Sequence, residues 1–336
     1  MKKISGLILF SFLVFHSCME EPDMQPNTNK GNFEALWKII DTKYCYLDYK
    51  GVDWDSVHTV YQVRVDTVKN EFGFFNLLGS MLGELKDGHV NLYSDFNRSR
   101  YWRWFTDYPS NFSSPLVFSD RYLGDDYLIA GGMRYGKIAN GTIGYIYYGD
   151  LDDVFTDVNI SYIFNYFASC SALIVDVRNN GGGYLDLSGK LASYFFTEEK
   201  VTGYMAHKTG TGHSDFSSPV KIKTTPHKTI RWERPVAVLT NRMSYSATNE
   251  FVCRMKQAPH AVVIGDQTGG GGGLPLSSEI PNGWMVRFSA SPIYDADMNH
   301  IEWGIEPDIP VEMKPEDEAS GYDTIIERAI TYLMLK

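Results

Sequence analysis

Short apolar segments alternate with amphipathic segments through the second half of this chain, and this alternation restricts its fold more than any other feature. The segments Ile143–Tyr148, Ala172–Val177 and Pro235–Thr240 are short and continuously apolar, which is typical of buried strands. Between them, Asp157–Ala168 and Leu185–Phe196 carry apolar residues at helical spacing. The alternation therefore predicts an α/β fold with a mostly parallel sheet.

Further segments extend this pattern towards the C-terminus. Ala261–Ile264 and Trp284–Phe288 are expected to form strands, and Asp323–Leu335 a closing helix for which Asp323 is a suitable N-cap. The helix over residues 157–168 is expected to direct four side chains into the core: Val158, Ile163, Phe164 and Phe167.

The N-terminal part of the fold is expected to be helical. Apolar residues recur with a period of about 3.6 before residue 83, which predicts a small helical subdomain over residues 31–90. Short strands and turns should follow between Val90 and Ala139, in a segment too short for an inserted peptide-binding domain of ordinary size. The main α/β domain is expected over residues 91–336.

The first residues are interpreted as a leader. A basic start is followed by the mostly apolar segment Ile4–Phe15, which is too short for a transmembrane helix and predicts a secretion signal. A small residue precedes Cys18, as at a bacterial lipoprotein processing site, so residues 1–18 are expected to be a lipoprotein signal peptide with Cys18 lipidated. The alternative is an ordinary signal peptide with an incidental cysteine. The polar residues 19–30 are expected to form a flexible tether. This assignment predicts a protein of the cell envelope, held to the outer membrane only by its lipid, on the periplasmic face or the cell surface.

Charge and cysteine content exclude some functions. The net charge of −10, without a basic run, argues against a nucleic-acid partner. Cys45, Cys170 and Cys253 are widely spaced, and neither paired Cys/His spacing nor HExxH occurs, so we expect buried thiols, no metal and no cofactor.

Ser246 is the first candidate catalytic residue. It lies between the apolar segment Pro235–Thr240 and the helical segment Asn249–Gln257. The free N–H groups and the dipole of a helix start can stabilise negative charge beside such a serine. The alternative is that Ser246 merely caps the helix.

A second motif closes the strand Ala172–Val177. The sequence Asp176-Val-Arg-Asn-Asn-Gly-Gly-Gly183 lets the backbone approach another group closely, which suits half of an oxyanion hole. A phosphate cradle is the rival interpretation, although the P-loop lysine is absent, and an ordinary tight turn is the third.

Three further motifs supply other candidates. His89, after Gly88, is a possible general base, and Glu302 is a possible orienting acid, although single residues of both types are usually structural or exposed. The five glycines Gly269–Gly273 suggest a mobile loop or a backbone surface for an extended peptide, with a phosphate loop as the competing interpretation.

Taken in order, these motifs resemble those of the carboxyl-terminal-processing (tail-specific) serine peptidases, a family that includes the tricorn protease core. The matching residues are Asp176, Arg178, Asn180, Gly182 and Gly183, then Ser244, Ser246, Ala247 and Glu250, then Gly265, Thr268 and Gly270, and finally Glu302, Gly304, Pro307 and Asp308.

The resemblance implies a crotonase/ClpP-like ββα core and hydrolysis of peptides or unfolded proteins through an acyl-enzyme. Ser246 would be the nucleophile, and the N–H groups of Ala247 and Gly182 would form the oxyanion hole. The remaining glycines would contact the substrate: Gly181, Gly183, Gly270 and Gly271.

The chain departs from the tail-specific branch because no lysine lies in its Thr268–Gly273 segment. The tricorn branch uses an early His and a late Glu, so the resemblance implies His89 as the base and Glu302 as the orienting acid. Gly88 and Ala247 replace the tricorn serine and aspartate. A non-catalytic ligand- or peptide-binding module on the same fold remains an alternative. An esterase is disfavoured because the chain has no G-x-S-x-G elbow.

Overall fold

The computed structural model describes residues 25–336. The expected signal peptide, Cys18 and the first part of the expected tether lie outside this range. No helix within residues 25–336 is both long enough and apolar enough to span a bilayer. The helices are α1 (Asn29–Lys43), α2 (Leu47–Lys50), α3 (Trp54–Val65), α4 (Glu71–Gly83), α5 (Arg103–Thr106), α6 (Ser114–Val117), α7 (Asp157–Tyr166), α8 (Leu185–Ser193), α9 (Ala247–Met255), α10 (Pro315–Ala319) and α11 (Thr324–Leu333).

The strands fall into two sheets. In chain order they are β1 (Asn91–Tyr93), β2 (Leu128–Ala130), β3 (Met133–Ile138), β4 (Ile143–Tyr147), β5 (Ala172–Asp176), β6 (Lys200–Met205), β7 (Val220–Thr224), β8 (Val236–Thr240), β9 (Ala261–Gly265), β10 (Gly273–Glu279), β11 (Met285–Tyr294) and β12 (Ile309–Pro310).

The larger sheet confirms the predicted parallel α/β core. Its order is β12-β9-β8-β5-β4-β3-β2, and every pairing from β12 to β4 is parallel. Strands β5 and β8 are buried along their whole length, which explains their continuous apolar sequences. Because parallel strands end at one edge, the loops after β5, β8 and β9 meet there.

The smaller sheet joins the N-terminal helices to the rest of the fold. Its order is β1-β11-β6-β7, with β10 also paired to β11. Buried side chains of α1, α3 and α4 form one hydrophobic cluster with Val286 and Phe288 of β11. The helical region found at residues 29–83 therefore shares its core with a strand close to the C-terminus.

Two local expectations were wrong. Val158 is 62% exposed, whereas Ile160 and Ile163 are buried. The reason is that Thr156 and Asn159 form a capping box that fixes the start of α7, and positions 160, 163 and 167 then share the buried face. At the N-terminus, α1 begins at Asn29, so the last two residues of the expected tether are helical.

The C-terminal helix agrees with its sequence pattern. Asp323 caps α11 by accepting hydrogen bonds from the amides of Ile325 and Ile326. Ile325, Ile326 and Leu333 are buried against the larger sheet. The three cysteines of the described residues, Cys45, Cys170 and Cys253, are buried free thiols, as expected.

Candidate active site

Ser246 occupies a sharp turn between β8 and α9. Its backbone has φ 58° and ψ −120°, an uncommon conformation for a residue with a side chain. The Ser246 amide donates to the carbonyl of Gly270 at 2.8 Å, which fixes the turn. Although Ser246 precedes the first residue of α9, its side chain makes no capping hydrogen bond. The simple N-cap interpretation is therefore wrong, and the hydroxyl is free for another partner.

That partner is His89. The Nε2 atom of His89 lies 2.9 Å from the Ser246 hydroxyl oxygen, across 157 positions of sequence. The imidazole is buried, and its Nδ1 atom has no hydrogen-bond partner within residues 25–336. Burial lowers the pKa of His89 to about 4. The charge of Arg287 lowers it further, and the charge of Asp87 raises it, but by less than burial lowers it. The ring is therefore neutral at physiological pH, as a general base must be.

Glu302 does not contact His89 in the way that the sequence analysis expected. Its Oε1 atom lies 2.6 Å from the ammonium of Lys50, and its Oε2 atom accepts the amide of Gly272 at 2.9 Å. No hydrogen bond between Glu302 and His89 occurs in the described part of the chain. A buried ammonium and a backbone amide thus each engage one oxygen of the Glu302 carboxylate.

Asp87 is the carboxylate that braces His89. One of its oxygens accepts the backbone amide of His89 at 2.8 Å, and the other accepts the hydroxyls of Tyr44 at 2.9 Å and Ser289 at 3.0 Å. Burial opposes its ionisation, but the nearby Lys50 and His89 and its hydrogen bonds give Asp87 a lowered pKa. Asp87 thus fixes the main chain at His89, not the ring.

Lys50 is the functional candidate that sequence reasoning missed. Its side chain is almost fully buried and lies 2.6 Å from Glu302 and 3.7 Å from Asp87. Burial lowers the pKa of Lys50, but the two carboxylates outweigh this effect and raise it, so the ammonium is charged. Burial and the charge of Asp87 in turn raise the pKa of Glu302 to about 7. The sequence offers only one weak signal, a lysine directly after the aromatic segment Tyr44–Tyr49.

The predicted oxyanion-hole residues, Gly182 and Ala247, lie beside Ser246. A Cβ atom added to Gly182 would come within 2.8 Å of the Ser246 Cβ, so only glycine fits there. However, the amide of Gly182 donates to Asn180 Oδ1 at 3.0 Å. Within residues 25–336, the amides of Ala247 and Gly183 have no acceptor.

Other residues of the four motifs hold the surrounding loops. Arg178 is fully buried between Asp176 and Asp323 and ties the loop after β5 to α11. Thr268 donates to Asn249 at 2.6 Å and so links the loop after β9 to α9. These residues are structural parts of the site, because they position loops without facing Ser246.

Gly88, which stands where the tricorn pattern has serine, is explained by packing. Trp104 and Tyr245 stack with their ring centroids 4.0 Å apart, next to His89. A Cβ at Gly88 would lie 2.6 Å from Trp104 Nε1 and 2.8 Å from the Tyr245 hydroxyl. The two aromatic rings therefore fill the space that a serine side chain would need.

Two cavities meet at Ser246. The first, of about 220 Å³, is lined mainly by apolar and glycine residues: Gly183, Tyr184, Leu185, Ser246, Ala247, Glu250, Gly271, Gly272, Gly273, Leu274, Pro275, Arg287, Ile293 and Ile301. The second, of about 240 Å³, is polar and also contains His89, Gly181 and Gly183. Three of the four glycines expected to contact substrate thus line a cavity; Gly270 lines neither and instead holds the Ser246 amide. No group of three or more potential metal ligands exists within residues 25–336.

Comparison with known families gives two matches. The model of peptidase family S41 matches residues 142–311, about half of the chain, and the model of the tricorn protease C1 domain matches residues 25–83. Together they span the helical region and the part of the larger sheet from β4 to β12.

Individual relatives agree with this assignment. The tricorn protease of Thermoplasma acidophilum is 26% identical over 65% of this chain and 19% of its own length. The carboxy-terminal processing protease CtpB of Bacillus subtilis is 29% identical over 44% of this chain and 29% of its own. The chain therefore spans less than a third of the length of these curated relatives.

Solved structures confirm the fold. A crystal structure of a candidate peptidase from Parabacteroides merdae is 50% identical, covers 92% of this chain and 97% of its own, and has a TM-score of 0.88. Mature CPAF in complex with lactacystin has a TM-score of 0.66 at 13% identity, with 91% and 97% coverage. The second similarity shows the fold alone.

Proposed function

Because the chain belongs to peptidase family S41, we propose that it is a serine-type peptidase with Ser246 as the nucleophile and His89 as the general base. The observation that carries the proposal is the distance of 2.9 Å between His89 Nε2 and Ser246 Oγ. The relatives named as tricorn protease and as a carboxy-terminal processing protease favour peptides or unfolded proteins as substrates.

The chemistry follows from the protonation state of His89. A neutral imidazole accepts the Ser246 proton at Nε2, and this requires its own proton on Nδ1. The Ser246 oxygen then attacks the peptide carbonyl, and the imidazolium returns the proton to the leaving amine. An ester on Ser246 remains, and a water molecule that gives its proton to His89 hydrolyses it to the free acid.

The negative charge of the tetrahedral intermediate requires two backbone donors. Ala247 is one, because the first N–H of a helix has no partner within that helix. Gly183 is a better second donor than Gly182, because Asn180 already accepts the Gly182 amide. Two such donors typically lower the barrier by several kcal/mol.

Glu302 is proposed as a positioning residue. It holds Lys50 with one oxygen and the amide of Gly272 with the other, and so supports the glycine segment against which Ser246 is fixed. Asp87 supports His89 through the main chain. In this proposal neither carboxylate contacts the imidazole directly. Glu302 acts through Lys50 and the amide of Gly272, and Asp87 acts through the backbone of His89.

The test is cleavage of an unfolded protein by the soluble chain lacking residues 1–24. Wild type should produce fragments, whereas Ser246→Ala and His89→Ala should produce none above background. His260→Ala, at an exposed site, is the matched control and should remain active. A serine-directed phosphonate should label wild type at Ser246.

Two outcomes would change the assignment. Cleavage retained in His89→Ala but lost in Ser246→Ala would place the base elsewhere. Neither cleavage nor labelling would favour the alternative, a ligand- or peptide-binding module on the peptidase fold.

We further propose that the protein is lipidated at Cys18 and held at the outer membrane. The support is the sequence alone: a basic start, an apolar segment and a small residue before Cys18. The full chain should partition with the membrane fraction, and Cys18→Ser should release it or leave its leader uncleaved. Equal partitioning and processing of both chains would contradict the lipid anchor.

A further inference from the structure

The imidazole of His89 has no hydrogen bond on the nitrogen that faces away from Ser246. This atom, Nδ1, is buried and has no partner within the described residues. Asp87 accepts only the backbone amide of His89, and no hydrogen bond joins Glu302 to the ring in the same part of the chain. Rotation about the Cβ–Cγ bond of a histidine changes the plane of the ring with only a small shift of Nε2, and this torsion has broad minima. The orientation of the ring therefore depends on its packing.

Tyr245 makes the aromatic contact with this imidazole. Its ring packs edge-on against His89, with the ring centroids 5.0 Å apart and the planes inclined by 60°. Tyr245 is only 6% exposed, yet its hydroxyl has no hydrogen-bond partner within residues 25–336. The contact with His89 is thus made by the aromatic ring, and the hydroxyl contributes no hydrogen bond to it.

Trp104 holds the ring of Tyr245 in place. It lies on α5 and stacks on Tyr245, with the ring centroids 4.0 Å apart and the planes inclined by only 24°. Trp104 is partly exposed, whereas Tyr245 and His89 are buried. The three rings therefore form a row that leads from the surface of the molecule to the hydroxyl of Ser246.

Three glycines make the space for the two outer rings of this row. A Cβ atom at Gly88 would lie 2.6 Å from Trp104 Nε1, and one at Gly269 would lie 2.5 Å from Trp104 Cζ3. A Cβ atom at Gly271 would lie 2.4 Å from Tyr245 Cζ. All three distances are too short for atoms in a close-packed interior. Glycines from two separate motifs thus form a slot that the two aromatic side chains fill.

We propose that Tyr245 and Trp104 are positioning residues that hold the imidazole of His89 in line with Ser246, in the place of a hydrogen-bonded carboxylate. The same rings cover the imidazole against water, in agreement with the low pKa that burial gives it. This inference rests on the proposed peptidase function, because it adds two residues to the same site.

The test compares kcat and KM on an uncharged peptide for leucine and phenylalanine variants of both residues. Tyr245→Leu removes the flat ring and should lower kcat about tenfold to a hundredfold with little change in KM, because a misplaced base slows the chemical step. Tyr245→Phe keeps the ring and should retain most of the activity. Trp104→Leu should reproduce the loss, although Trp104 lines neither cavity at Ser246, and Trp104→Phe should restore most of it. Combining the two leucine substitutions should give less than the product of their separate losses.

Tyr135→Leu is the matched control. Tyr135 is also 6% exposed and packs edge-on against Phe167, but it lines neither cavity at Ser246. This variant should lose a comparable amount of stability in thermal unfolding and keep its kcat. An equal fall of kcat in Tyr135→Leu and Tyr245→Leu would overturn the proposal, because general destabilisation would then explain both.

The titration of His89 gives a readout that does not depend on cleavage. It is followed by NMR in protein labelled with ¹⁵N-histidine, and His89→Ala identifies the signals. Wild type should titrate near pH 4 with the neutral ring protonated on Nδ1. Both leucine variants should titrate closer to 6.5 and show a mixture of the two tautomers, because water reaches a ring that has lost its orientation. The charged groups around the imidazole are the same in all variants: Asp87, Arg287 and Lys50.

Two results would contradict the positioning role. Unchanged kcat and unchanged titration of His89 in both leucine variants would show that the rings do not orient the imidazole. Equal losses in Tyr245→Phe and Tyr245→Leu would show that the hydroxyl, rather than the ring, is responsible. If Tyr245→Leu does not fold, Trp104→Leu still tests the proposal, because Trp104 is partly exposed on a short helix.

The two readouts separate this proposal from the proposed function. If wild type cleaves nothing while the leucine variants change the titration and tautomer of His89, the positioning role stands and the peptidase function fails. If wild type and both leucine variants cleave equally well with the same titration of His89, the peptidase function stands and the positioning role fails.

Discussion

The proposed role of His89 as a base depends on surroundings that keep the imidazole neutral. Burial is the main cause of its low pKa, and Arg287 and Lys50 add to it. Asp87 acts in the opposite direction but does not outweigh burial. A base with a low pKa is weaker, yet it is fully available for proton transfer well below neutral pH.

The pH dependence of cleavage should show this shift. The kcat/KM of wild type should fall on the acid side with a midpoint near 4, rather than at the 6.5 of an unperturbed histidine, because only neutral His89 accepts the Ser246 proton. The measurement is kcat/KM across pH on an uncharged peptide, with near-ultraviolet circular dichroism as a control for folding. A midpoint near 6.5 in folded protein would mean that the imidazole is accessible to water.

Lys50 offers a second test at the scale of single residues. Lys50→Met should destabilise the fold by about 3–5 kcal/mol, since it leaves two buried carboxyl groups without their cation. The kcat of Lys50→Met should also fall, because Glu302 loses the ammonium that holds its side chain in place. Urea unfolding and kinetics measure the two effects, and exposed Lys38→Met is the control.

The double variant Lys50→Met with Glu302→Gln should recover part of the lost stability, since it removes one of the uncompensated charges. Strictly additive losses would instead show that the two residues are not coupled.

Residue identities were predictable to different degrees. Ser246, His89 and Glu302 belong to motifs whose order in the chain is informative. Lys50 belongs to no such motif, and its role comes from the folding of α2 against Asp87 and Glu302, which sequence spacing does not encode. The partner of Glu302 was missed for the same reason.

At the scale of elements, the glycine segment Gly269–Gly273 between β9 and β10 is tightly packed and supports Ser246 and Glu302. Gly270 accepts the Ser246 amide, Gly271 donates to the Glu302 carbonyl, and Gly272 donates to the Glu302 side chain. The sequence suggested a mobile loop or a surface for peptide. Glycines mark positions without a side chain, but whether solvent, substrate or protein fills that space depends on the tertiary fold.

A matched pair of glycine substitutions tests whether the segment around Gly270 is tightly packed. Gly270 and Gly283 both have positive φ, at 82° and 88°. A Cβ at Gly270 would lie 1.9 Å from the Glu302 carbonyl oxygen, whereas a Cβ at Gly283 meets nothing within 4 Å. Gly283→Ala should cost about 1 kcal/mol of backbone strain, and Gly270→Ala clearly more, with loss of cleavage.

Thermal unfolding and peptide cleavage measure the two effects. Equal destabilisation by the two substitutions would show that the segment around Gly270 moves aside, as a mobile loop would.

At the scale of the whole molecule, stability should depend on the ionisation of Glu302. Its pKa is about 7 in the folded protein and near 4.5 in an unfolded chain. Its contribution to stability is therefore complete below pH 4.5 and is lost as pH rises towards 7, since the unfolded chain releases the proton first. The loss from this group is on the order of 3 kcal/mol.

Glu302→Gln should abolish that part of the pH dependence. The free energy of unfolding of Glu302→Gln, relative to wild type, should increase between pH 5 and pH 8 in urea titrations. The exposed Glu306→Gln serves as the control and should follow wild type at both pH values. A constant difference between Glu302→Gln and wild type would mean that Glu302 is ionised throughout.

The order in which the chain is made determines when the proposed active site can form. Lys50 is synthesised early, but Glu302 and the β11 strand that covers α1 and α4 come only near the end. A nascent chain, or one clipped before β11, carries both Ser246 and His89 without the late segments that hold them in line. On the proposed function, we therefore expect a copy to gain activity only after β11 and Glu302 have been made and folded, and we expect a chain cut before β11 to lack it.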